Sequence, residues 1–167
     1  PVQEEYDFVL IDCPPALNLL TVNGLCAAQA VMIPMQCEYY SLEGLSVMMR
    51  MIEQLRQSGA NPQLEITGIV LTMVTARTNL TTQVAEEVRT HFPEKIFSTM
   101  IPRTVRLAEA PSFGKPIILY DTNSTASVAY RSLTDELLHR VGVLKSPVPA
   151  LLVPPASAPV AHATPTS

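Results

Sequence analysis

The stretch Tyr6-Asp7-Phe8-Val9-Leu10-Ile11-Asp12-Cys13-Pro14-Pro15 constrains the fold more than any other in this chain. Four apolar residues run unbroken from Phe8 to Ile11, without alternation, which predicts a strand buried on both faces of a parallel sheet. Pro14 and Pro15 cannot extend a ladder, so the chain turns away there. Asp12 would stand at the strand's carboxyl end, the rim of an open α/β sheet where ligands bind. An acid there also suits the cap of the next helix, and spacing alone leaves both readings open.

The remaining segments alternate. Leu17 to Gln29 reads as a helix with a stripe through Leu17, Leu20, Gly24, Ala27 and Ala28. Ala30 to Pro34 is a second apolar run stopped by proline. Ser41 suits an N-cap, and Leu42, Leu45, Met49, Ile52 and Leu55 mark an amphipathic helix ending near Ser58-Gly59. Met48, Met49 and Met51 fall on or beside that stripe and read as core filler. Ile66 to Val74 is predicted as a third strand. A helix capped by Thr78 or Asn79 follows and ends at Pro93. Lys95 to Ile101 is a fourth strand stopped by Pro102. Leu107 to Lys115 is irregular or helical, and Ile117 to Tyr120 an edge strand. The last helix runs from Thr125 to Arg140, with Ala126, Tyr130, Leu133, Leu137 and Val141 inward and Gly142 as terminator. Strands alternating with helices predict an α/β fold: a mostly parallel sheet with helices on both faces.

With 167 residues, 47% of them hydrophobic, the chain can bury a substantial core. The domain is expected over 1–143. From Ser146 the composition turns to proline, alanine, serine and threonine, so 144–167 is expected to be a disordered tail. The tail's lack of basic residues beyond Lys145 disfavours a membrane-binding helix. No apolar stretch reaches membrane-spanning length and no leader pattern opens the chain, which predicts a cytoplasmic protein. Cys13, Cys26 and Cys37 form no C-x-x-C pair, so reduced thiols are expected. A net charge of −4 disfavours a wholly basic nucleic-acid binder but permits a local basic patch. Because a central strand needs neighbours on both sides, the early position of Phe8 to Ile11 leads us to expect further sequence upstream.

Four blocks, in order, carry a resemblance: YDFVLIDCPPALNLLTVNGL, VMIPMQCEYYSLEGL, GIVLTMVTARTNLTTQVAEEVRTHF and IPRTVRLAEAPSFGKPIILYD. Together they resemble ParA/Soj-type partition ATPases, deviant-Walker members of the P-loop NTPase fold that move chromosomes and plasmids. The resemblance implies that Asp12 is the Walker B aspartate, holding magnesium through water. That suits magnesium, which needs only one or two carboxylates and keeps several waters. It further implies that Pro14 to Leu20 senses the terminal phosphate, and that Pro102 and Thr104 contact adenine. Relatives usually carry Asn where Thr104 stands. Arg77 and Arg106 match arginines implicated in non-specific DNA binding, with Arg103 a further candidate. Glu109, Pro111 and Lys115 would serve structure or a dimer face. In relatives, a basic, glycine-containing segment is commoner where Thr122 to Ala126 stands.

The family's cofactors are ATP and Mg. Its partners are non-specific DNA, a ParB-like DNA-binding protein and, with ATP, a second copy; its place is the nucleoid. The sequence departs from the family at one decisive point. The phosphate-cradling loop G-x-x-x-x-G-K-[ST] is absent. Gly114-Lys115 is followed by Pro116 and preceded five positions earlier by Glu109, so it is not that loop. The family's signature lysine and catalytic acid are also missing. The chain alone is therefore expected to be inactive as an ATPase. Two alternatives follow: a P-loop-less remnant that binds DNA or a partner without turnover, and a membrane-acting MinD-like relative.

Overall fold

The structure is a computed structural model that describes residues 4–14, 16, 18–75 and 79–144. The proline-rich tail from 145 onward, Arg77, Thr78 and Leu17 lie outside the described residues.

Two parallel strands form the sheet: β1 (Ala30–Gln36) and β2 (Glu65–Thr72). They are joined by α2 (Tyr39–Gln57), the amphipathic helix the sequence predicts. Leu45, Ile52 and Leu55 are buried along it, and the three methionines pack beside them against the core. Its start differs from expectation. The helix begins at Tyr39 without a side-chain cap, and Ser41 sits in the first turn. Pro34 lies within β1, opposite Val70, instead of ending it. Among the described residues β1 pairs only with β2, so its other edge needs no N–H from Pro34.

The register slips between Val31 and Met32, where Thr67 is the unpaired residue. This bulge turns the side chains of β2. Ile66, Ile69 and Leu71 join a cluster with α2 and with α3 (Asn79–His91). Gly68 and Val70 face the other way. Val70 packs with Phe97, Ile101, Ala129 and Leu133, the last two on α6 (Thr125–Arg140). Helices therefore cover both faces of β2, as expected. A Cβ on Gly68 would lie 2.6 Å from the Lys95 carbonyl and 2.7 Å from the Phe97 ring. Only glycine permits that approach.

Lys95 to Ile101 is only partly the strand it was predicted to be. The segment runs beside β2 through isolated parallel bridges, Ile69 to Ile96 and Val74 to Pro102. The Phe97 and Ile101 N–H groups donate to the Ile69 and Leu71 carbonyls at 2.8 and 2.9 Å. Between them the Ser98 and Thr99 N–H groups donate instead to the two carboxylate oxygens of Glu136 on α6, at 2.7 and 2.9 Å.

Two further expectations fail. Phe8 to Ile11 is not a buried strand: these residues belong to no strand and are 46%, 58%, 85% and 51% exposed. An apolar run that pairs with neither described strand forms no ladder. Ile117 to Tyr120 is not an edge strand but a single helical turn, α5 (Ile117–Tyr120). Pro116 sits ahead of it at φ −67°, and its carbonyl accepts the Leu119 and Tyr120 N–H groups, both at 2.9 Å.

Candidate functional site

The candidate residues lie on two separate stretches, one before α1 and one past the carboxyl end of β2. Asp12 follows the exposed apolar run and is itself exposed, so it is not lost in apolar packing. Ile11 and Cys13 flank Gly24 of α1 (Leu19–Ala27), whose missing Cβ would lie 2.8 Å from the Cys13 sulfur. That glycine lets the Asp12 segment lie close on the helix. Asp12 does not cap α1. Asn18 does, its side chain accepting the Leu20 and Thr21 N–H groups at 3.0 and 3.2 Å. The buried Thr21 hydroxyl donates to the Ala16 carbonyl at 2.7 Å, tying the turn after Asp12 to the helix. The inward face of α1 is Thr21 and Leu25; Leu20, expected inside, is exposed. Asn61 secures the far end by donating to the Leu25 and Ala28 carbonyls at 2.9 and 2.8 Å.

Pro102 and Thr104 stand past the carboxyl end of β2, where Arg103 N–H donates to the Val74 carbonyl at 2.9 Å. Thr104 is the N-cap of α4 (Val105–Glu109): its hydroxyl accepts the Leu107 N–H at 3.1 Å. One lone pair is thus engaged while the O–H remains able to donate. Among the described residues, no hydrogen bond or ion pair joins Asp12 to Pro102 or Thr104.

Arg106, on α4, faces two carboxylates: Oε2 of Glu109 and Oδ2 of Asp121, each 3.5 Å away. The Tyr120 hydroxyl donates to Glu109 Oε2 at 3.2 Å, and its ring stacks on Phe113 with centroids 5.0 Å apart. The Tyr120 hydroxyl first, then the two acids, hold the guanidinium's proton more firmly than usual. The i, i+3 spacing of Arg106 and Glu109 signals half of this cluster in sequence; Asp121 arrives from α5 and carried no such signal. Arg103 is exposed. Cys13, Cys26 and Cys37 are unpaired, and burial pushes the Cys37 thiol up.

Among the described residues no group of three or more His, Cys, Asp or Glu side chains could hold a metal. The single carboxylate of Asp12 fits a largely water-coordinated magnesium ion. It does not by itself fit a triphosphate, because no glycine-rich phosphate cradle exists in the sequence. No helix among the described residues is long and apolar enough to cross a membrane.

The parallel sheet and the helices on both faces of β2 form an α/β fold of the P-loop NTPase class. Solved structures agree. Cobyrinic acid a,c-diamide synthase from Mycobacterium smegmatis, with bound ATP analog and magnesium, matches 84% of this chain and 51% of its own at 31% identity, TM-score 0.70. A family model for an AAA domain matches residues 1–66. The chromosome partitioning protein ParA of Caulobacter vibrioides is 55% identical over 135 residues, 81% of this chain and 50% of its own length. The sporulation initiation inhibitor protein Soj of Bacillus subtilis is 53% identical over 136 residues, covering 81% and 53%. By sequence the chain is thus similar to the ParA/Soj partition proteins, and it spans about half the length of these curated relatives.

Proposed function

We propose that this chain is a portion of a ParA-type partition ATPase that supplies a magnesium-organising carboxylate, an adenine-facing edge and a DNA-binding surface. The exposure of Asp12 at the end of the first apolar run is the observation that carries this reading. Asp12 would hold magnesium through water, and Pro102 would pack on the adenine base. The Thr104 O–H would donate to a ring nitrogen, a single bond where an amide would make two. Arg77 and Arg106, with Arg103 a further candidate, would meet phosphates of non-specific DNA. ATP-dependent dimerisation, stimulation by a ParB-like protein and a cytoplasmic, nucleoid-associated location belong to the same reading.

The chain alone binds without turning ATP over. Phosphoryl transfer rests on positioning and charge stabilisation, and the phosphate cradle has no counterpart in this sequence. ATP hydrolysis by the purified chain, lost on Asp12→Ala, would refute this. Duplex DNA of random sequence is the companion probe. With two arginine contacts, affinity should fall roughly tenfold from about 50 to about 200 mM salt. Binding that ignores salt would count against the DNA surface.

A further inference from the structure

Arg106 is not presented as an open cation. Its side chain is 61% exposed, yet two carboxylates from different elements lie 3.5 Å from its guanidinium. Both acids are held in place. Glu109 accepts the Tyr120 hydroxyl, and Tyr120 is stacked on Phe113. Asp121 follows α5, its N–H donating to the Ile117 carbonyl at 2.9 Å. Its own carbonyl accepts the Ser124 hydroxyl at 2.8 Å, and Ser124 caps α6. The Tyr120 hydroxyl thus holds the Glu109 carboxylate, and bonds to α5 and to the cap of α6 hold the Asp121 main chain, independently of Arg106. A phosphate approaching the same guanidinium must compete with carboxylates already in place.

We propose that Glu109 and Asp121 form an acidic gate on Arg106 that sets its affinity for nucleic-acid phosphate. The gate rests on the reading that Arg106 contacts DNA. Ion pairs this exposed are individually weak. Removing either acid is therefore expected to tighten DNA binding modestly, by about two- to fivefold at low salt.

A double-mutant cycle on the full 167-residue chain tests it, with labelled random-sequence duplex as the probe. Asp121→Asn and Glu109→Gln are each made in the wild-type and the Arg106→Ala backgrounds, and thermal melting checks that every variant folds. The expected result is a two- to fivefold gain from each that disappears when Arg106 is absent. An equal gain in both backgrounds reduces the acids to general surface charge and overturns the gate. So does no gain at all. If Arg106→Ala leaves wild-type binding unchanged, the reading of Arg106 as a phosphate contact fails and the gate falls with it. In the other two failures Arg106→Ala still weakens binding.

Discussion

Thr104 combines two duties in one hydroxyl. Its oxygen caps the start of α4 by accepting the Leu107 N–H, which leaves its hydrogen able to donate. Thr104→Val should lower stability by about 1 kcal/mol through the lost cap, measured by urea unfolding, whereas Thr104→Ser should retain it. The sequence placed Thr104 just past a strand end and suggested the crevice, but the cap escaped notice because the helix it starts is only five residues long. Arg106 illustrates a different limit. An arginine off the apolar stripe reads as exposed, and it is. What a sequence does not display is a carboxylate delivered from a separate turn, and Asp121 decides how freely that charge is offered.

Among the elements, α6 has the most exacting role. Arg140 reaches back to the Thr67 carbonyl at 3.1 Å and to the Ile96 carbonyl, lies 4.0 Å over the Phe97 ring, and pairs with Glu136 at 3.1 Å. Burial raises the Glu136 carboxyl, but bonds from Ser98, Thr99 and Arg140 outweigh it and leave the group below its ordinary value. A depressed folded value means that ionised Glu136 stabilises the fold above its unfolded pKa. That contribution is lost as pH falls through the folded value. Chemical denaturation from neutral to acid pH should show a decline that Glu136→Gln flattens. At neutral pH the same substitution should cost about 2 kcal/mol, because two backbone N–H groups lose a charged acceptor. Gly68→Ala should cost a comparable 1–3 kcal/mol, approximately, since the Lys95 carbonyl cannot retreat from an added methyl without disturbing the bridge at Ile96. The i, i+4 spacing of Glu136 and Arg140 was visible beforehand, but not its target. Apolar pattern foretold α2 well because one long stripe meets one core. It misjudged Ile117 to Tyr120, where Pro116 and local carbonyls outweigh a short apolar run with no strand beside it.

For the molecule as a whole, coverage is uneven. Both faces of β2 are packed, β1 is packed on one, and Phe8 to Ile11 stands in solvent with no ladder. Alternation of segments told the fold class, because a parallel sheet needs crossovers. It could not tell that the first apolar run would lack neighbours among the described residues, since pairing is a property of what lies alongside. A contiguous exposed apolar strip promotes association. Leu10→Lys should reduce concentration-dependent light scattering of the purified chain without lowering its melting temperature. The far side of the sheet behaves otherwise. There the amides of Ser98 and Thr99 end on a carboxylate, so an incoming polypeptide finds no row of free donors to copy. Among the described residues the two borders of the sheet therefore differ in kind: Glu136 occupies amides on one, whereas β1 is paired along a single edge.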